Sequence, residues 1–441
     1  SALRADSRMR FSPLAGLMAF EDWIEQTLPR AGRINNYAWL IVALTGVALM
    51  CGLTVVATPP SMMNPDSPSY LSWSVIRTPG YPVFLSVVRI FDPELGNLPY
   101  FQMALLVAAG AFLAQAAARL GGPWWIWLLM GAGILGNPFI WRYAWQIWAD
   151  SLFITLVMVF LGCIAMALRR RPAGLSWLFA ASVILGAAIL VRPVGYALLG
   201  VAPLIGLVWH GRRWAAVGAA TLPALAMLLA VSSWNLVNNG YFATQLFDGY
   251  YIGKHDHKLP AISPVNLSMD VTTVEVARQK NALLWSTVVA TIRHHPTDYI
   301  YHVLANFAAL WTLPDVSSAE SARIKIPGFA VLLKDGLLFC LMALSFLLVI
   351  AVAIRPAASP LLVFTAVAAL CVNANHLLVA LLEPALPRYA MAMWPELLAM
   401  IAAFAAWVLR RDGSIAPDVA HTANPRCCGA RDLRSSRAQL V

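Results

Sequence analysis

A few charged residues stand out in this 441-residue chain because the segments around them are strongly apolar. The stretch NPDSPSYLSWSVIRTPGYPVFL, residues 64–85, sets Asp66, Tyr70, Arg77 and Tyr81 between two hydrophobic regions. Asp150 follows Trp148 in WQIWADSLFITL, Arg192 interrupts AAILVRPVGYALLG, and Arg388 and Tyr389 open RYAMAMWPELL. An ionisable group near membrane depth costs about 2.5–3.5 kcal/mol on insertion scales, so such groups snorkel, pair or face a polar cavity. Gathered in one place, these have a definite chemistry. Guanidinium forks hold a lipid-phosphate anion through bidentate bonds, and a carboxylate takes the proton of a hydroxyl that attacks a sugar carbon. Plainer readings stand beside this one. NPDSPS is good turn chemistry for Asp66, and Asp150 is placed to cap a helix whose dipole favours a carboxylate.

The elements that must carry these residues are membrane helices. Hydrophobic residues make up 60% of the chain, charged residues only 12%, and the mean hydropathy is +0.69. The apolar runs are continuous rather than alternating and roughly 20 residues long, which predicts an all-α, polytopic membrane protein of about ten or more spans. The spans fall at 37–58, 99–119, 123–141, 150–168, 175–191, 193–210, 213–235, 329–354, 359–382 and 388–409. Alternating them from a cytoplasmic N-terminus puts Arg119, the RRR run at 169–171, HGRR at 210–213, Arg355 and RR at 410–411 on one side, as the positive-inside rule requires. That rule also accounts for the formal charge of +10 without nucleic acid. It leaves Arg77, Arg89, Arg142, Arg192 and Arg388 on the opposite side, where another reason is needed.

Five regions follow: a basic cytoplasmic lead over 1–36, a transmembrane module over 37–235 with its first outer loop at 59–98, a large outer loop over 236–328, C-terminal spans over 329–410, and a polar tail over 411–441 expected to be disordered. In the large loop, DVTTVEVARQKNALLWSTVVATIRHH reads as an amphipathic helix capped by Asp270 and lying on the membrane surface, with Val276, Ala277, Leu284, Val288 and Ile292 near one face. The segment 299–311 reads as re-entrant or interfacial. No internal repeat is visible, which disfavours a transporter of two related halves.

Other polar features have simple explanations. The histidines of HDH (255–257) and HH (294–295) do not point one way on a helix and read as loop residues. No metal site or cofactor is indicated by the sequence, which leaves a divalent cation open without pointing to one. Four of the six cysteines lie in predicted spans and two in the tail, so no disulfide framework is indicated. Most of the 17 tryptophans fit an interfacial belt, although Trp145 and Trp148 near Asp150 are placed to stack on a sugar.

DSPSYLSWSVIRTPGYPVFL, WADSLFITLVMVFLG, LVRPVGYALLG and RYAMAMWPELL occur in the order seen in GT-C fold membrane glycosyltransferases. The chain resembles especially the bacterial protein-mannosyltransferase-like and lipid A aminoarabinose transferase-like branch, over roughly residues 37–410. The resemblance implies inverting transfer of a sugar from a polyprenyl-phosphate donor to a lipid, glycan or protein hydroxyl, at the periplasmic face of a bacterial inner membrane. It implies Asp66 as the base, Asp150 as the second acid, and Arg77, Arg192 and Arg388 as contacts of the donor phosphate. Tyr70, Tyr81, Tyr389 and Trp148 would line the pocket. Ser67 stands where many relatives carry Glu, and Thr78 replaces a proline. Two other functions compete with this expectation: an O-antigen ligase or polymerase, and a lipid-sugar flippase.

Overall fold

The computed structural model describes residues 47, 61–170, 173–208, 212–245, 274–312, 328–354, 358–382 and 387–412. The expected lead, nearly all of the first span, the HDH motif, Asp270, Arg355 and the tail beyond Asp412 lie outside these residues.

All regular structure among the described residues is helical. A short turn of helix, α1 (Ser67–Leu71), and a two-faced helix, α2 (Gly80–Phe91), occupy what the sequence predicts as a loop. Then come α3 (Leu98–Ala118), α4 (Trp124–Leu135), α5 (Pro138–Trp145), α6 (Ala149–Arg169), α7 (Leu175–Val191), a single 3₁₀ turn over Pro193–Gly195, α8 (Tyr196–Leu207) and α9 (Arg213–Asn239). After the outer segment follow α10 (Val274–His294), α11 (Pro296–Trp311), α12 (Gly328–Ile354), α13 (Pro360–Leu382), α14 (Pro387–Ala392) and α15 (Trp394–Asp412).

Among the described residues five helices are long and apolar enough to cross a membrane: α3, α6, α9, the Leu332–Ile354 part of α12, and α13. Shorter apolar helices stand between them, and this gives a multi-span, all-α architecture. Helix α6 is the axis, with most of its residues from Ala149 to Leu168 buried. Helices α3 and α7 flank it, α9 packs on α7 and α8, and α13 joins α8 to α12 and α15. The outer helices α9 and α12 turn Leu222, Leu229, Leu333 and Ile354 outward, as lipid-facing surfaces do.

Two expected spans are broken. In the predicted span 123–141, Asn137 and Pro138 end α4 and start α5, the Asn137 side chain accepting the Phe139 N–H at 3.0 Å. In 388–409, α14 ends before α15 begins at Trp394, whose indole donates to the Gly133 carbonyl at 3.0 Å. Helix α2 buries Tyr81, Leu85 and Val88 while exposing Val83, Val87, Ile90 and Phe91. With both faces apolar, it suits a boundary between protein and lipid. The amphipathic segment expected in the large loop is helical over Val274–His294 as α10, whose Ala277 packs against Tyr241. The segment 299–311 falls within α11.

Hydrogen bonds distinguish the two ends of the bundle. At one end Arg410 donates to the Leu120 carbonyl at 3.4 Å and Arg119 reaches the Met166 sulfur at 3.8 Å. At the other, Gln102 of α3 meets the carbonyls of Ala144 and Gln146 just before α6 begins. Asp66, Asp150 and Arg192 belong to this second end.

Candidate functional site

The first outer loop is fixed in shape by its own short polar side chains. The Asn64 side chain accepts the Asp66 N–H at 2.8 Å, and the Asn64 N–H donates to the Ser67 hydroxyl at 2.9 Å. This is the turn that Asn-Pro-Asp-Ser favours. The loop then docks on the turn between α5 and α6. The Ile147 carbonyl accepts from Asn64 Nδ2 at 3.0 Å and from Ser67 Oγ at 2.9 Å, while the Ile147 N–H donates to the Met62 carbonyl at 2.9 Å. Ser67 therefore has a role that glutamate could not fill when ionised, since a carboxylate has no proton to donate to a carbonyl.

A second junction ties the loop to the end of α7. Thr78 Oγ1 donates at 3.1 Å to the Val191 carbonyl, one of the unpaired carbonyls at that helix terminus. Gly80 allows the close approach: a Cβ there would lie 2.5 Å from the carbonyl carbon and oxygen of Leu190. Beyond Val191 the chain is extended at Arg192 and enters Pro193, so α7 stops and the arginine leaves the helix line.

These junctions assemble a continuous network of charge. Arg77 Nη2 donates to Asp66 Oδ1 at 2.6 Å, and its Nε donates to Ser69 Oγ at 2.9 Å. Arg388 approaches the other carboxylate oxygen, Oδ2, at 3.6 Å. Arg388 also donates to the Tyr389 hydroxyl at 2.8 Å and lies 5.6 Å from the centre of the Trp148 ring. Arg192 also stands against Tyr389, 5.4 Å from the ring centre, and pairs with Asp150. Tyr70 sits under Arg77, with 4.9 Å between guanidinium carbon and ring centre. Three arginines and two carboxylates thus come together from four separated parts of the chain.

Asp66 shows how charge controls this site. Burial would raise its pKa, but the positive charges of Arg77, Arg388 and Arg192 and the Arg77 hydrogen bond outweigh burial and lower it. Asp66 is therefore ionised at neutral pH. Asp150 is buried completely, and its Oδ2 atom has no hydrogen-bond partner among the described residues; neither has Arg388 Nε. Trp148, rather than Asp150, precedes the first turn of α6, so the Asp150 side chain serves Arg192 instead of a helix cap.

Tyr81 is placed differently from the sequence expectation. It is fully buried beneath Tyr70, with ring centres 5.0 Å apart, and its hydroxyl turns to Gln102. Tyr143 of α5 is a neighbour that the sequence did not single out, its ring 5.2 Å from that of Trp148. Burial pushes its hydroxyl up to about 12 against the opposing pull of Arg388, Arg192 and Arg142, so it stays protonated and neutral. Its one signal in the sequence was its position between Trp141 and Trp145. Among the described residues no cluster of His, Cys, Asp and Glu is arranged to hold a metal ion.

Comparison of the chain with protein-family models, with curated proteins and with solved structures gave no match.

Proposed function

We propose that the chain is a membrane glycosyltransferase of GT-C type, moving a sugar from a polyprenyl-phosphate donor to an acceptor hydroxyl with inversion. The observation that carries this reading is the continuous Arg77–Asp66–Arg388–Tyr389–Arg192–Asp150 network. Three positive and two negative side chains leave an excess of one positive charge, suited to an anion that arrives with the donor. In the reaction Asp66 takes the acceptor proton while the hydroxyl oxygen bonds to the anomeric carbon from the side opposite the phosphate. The bond from that carbon to the phosphate oxygen breaks, and polyprenyl phosphate leaves with the electron pair. Arg77, Arg192 and Arg388 stabilise the charge that grows on the leaving group. Asp150 orients Arg192, and Tyr70, Trp148 and Tyr389 line the arginine side chains. On this reading about ten spans surround the site, which faces the periplasm of a bacterial inner membrane.

The test uses purified protein in detergent with a polyprenyl-phosphate sugar and a panel of lipid, glycan and peptide acceptors. Release of polyprenyl phosphate together with a glycosylated acceptor is the expected result, read by mass spectrometry. Movement of the intact lipid-sugar across a sealed bilayer without any bond exchange would overturn the proposal.

A further inference from the structure

Gln102 belongs to no charged pair, yet it stands where the two acid-bearing segments meet. It lies on α3 and is almost completely buried in an otherwise apolar stretch. Both hydrogens of its amide are used, donating at 2.9 Å to the Ala144 carbonyl and at 2.9 Å to the Gln146 carbonyl. Its Oε1 accepts the Tyr81 hydroxyl at 3.2 Å. Turning the amide over would set its oxygen against two carbonyls, so the three partners dictate one orientation.

We infer that Gln102 is a positioning residue that, through Tyr81, holds the Asp66–Arg77 loop and the Trp148–Asp150 turn in register. On one side, Tyr81 follows Arg77 closely in the chain and meets Tyr70 edge to face. On the other, Gln146 leads directly to Ile147, which anchors the first outer loop, and to Trp148, which supports Arg388. The carbonyls of Ala144 and Gln146 lie at the end of α5, where no helical partner is available. Without Gln102 the Ala144 carbonyl would lose its partner in apolar surroundings, the Gln146 carbonyl would keep only the Trp148 N–H at 2.8 Å, and the turn would move to compensate.

The consequence for phosphate binding rests on the proposed function, whereas the structural bracket does not, and two measurements separate them. In the full-length protein in nanodiscs, hydrogen exchange is followed by mass spectrometry for segments 61–69 and 141–152. Gln102→Leu is expected to raise exchange in both segments by roughly 10-fold while leaving α7 and the part of α6 beyond residue 152 unchanged. Tyr81→Phe is expected to do so more weakly, and to add nothing in the Gln102→Leu background. Binding of undecaprenyl phosphate is expected to weaken roughly 3- to 10-fold in Gln102→Leu. Unchanged exchange, or a change confined to one of the two segments, overturns the bracket. Altered exchange in a protein whose wild type ignores undecaprenyl phosphate keeps the bracket and removes the phosphate reading. Should Gln102→Leu fail to fold, Tyr81→Phe carries the same exchange test alone.

Discussion

Arg388 approaches the Asp66 carboxylate to 3.6 Å while donating to the hydroxyl of Tyr389, its own neighbour in the chain, at 2.8 Å. The last described helices thereby close a site that the first described loop begins. A guanidinium shared between a carboxylate and a phenol is available to a phosphate, because neither partner binds it through two parallel bonds.

If Asp66 is the base, Asp66→Asn removes the proton acceptor with little change in shape. Sugar transfer should fall about 10²- to 10⁴-fold. Initial rates of polyprenyl-phosphate release check this, alongside a thermal melt that separates lost turnover from the stability lost with the half-buried Asp66–Arg77 pair.

Arg77→Gln should change the pH dependence in a defined direction. Removing a positive charge beside Asp66 takes away one of the influences that lower its pKa, so the acid limb of kcat/KM should move to higher pH. A limb that stays in place would mean that another group limits the rate. The sign for stability is consistent. A carboxyl whose folded-state pKa lies below the ordinary 3.8 stabilises the fold above that value, and the contribution is lost as pH falls through the folded-state pKa.

Tyr389→Phe keeps the ring that Arg192 and Arg388 both contact but removes the hydroxyl that accepts from Arg388. One hydrogen bond contributes about 0.5–1.5 kcal/mol, so KM for the donor should rise roughly 2- to 10-fold with a smaller effect on kcat. Steady-state kinetics with varied donor distinguish the two.

At Gly80 the obstacle is backbone. A methyl group would lie 2.5 Å from the Leu190 carbonyl and 2.7 Å from the Val191 nitrogen, neither of which can turn aside. Gly80→Ala should lower stability by about 1–3 kcal/mol and weaken Thr78 against Val191. Thermal unfolding in detergent measures the first effect.

A second buried contact, between Asn375 Nδ2 and Glu396 Oε1 at 2.8 Å, joins α13 to α15. Gln in place of Glu396 retains a carbonyl oxygen for that bond and should be tolerated, whereas Glu396→Ala should cost about 1–3 kcal/mol by leaving the amide unpaired. The difference in melting temperature between the two variants is the measurement.

Much of this was legible in the sequence, for reasons that also mark its limits. Long apolar runs betray membrane helices because lipid imposes a length and a composition, and α3, α6, α9 and α13 follow that signal closely. Arg77, Arg192 and Arg388 were legible because topology left them unexplained. The breaks at Asn137 and before Trp394 were harder to see, since they interrupt apolar runs without adding charge, and the Gly133 carbonyl just before the first is satisfied by the Trp394 indole, far away in sequence. Gln102 and Tyr143 were invisible for a similar reason: a single polar side chain in an apolar helix or an aromatic cluster gives no hint of its partner.

The early end of α7 has a further consequence. Its 17 residues rise only about 25 Å, against roughly 30 Å for a hydrocarbon core. Arg192 at its far end would then sit sunken, below the plane of the neighbouring headgroups, and the surrounding lipid would have to thin to meet it. Activity in bilayers of graded acyl length should therefore peak in thin membranes and decline as the chains lengthen, with mismatch acting on Arg192 before any other group of the site.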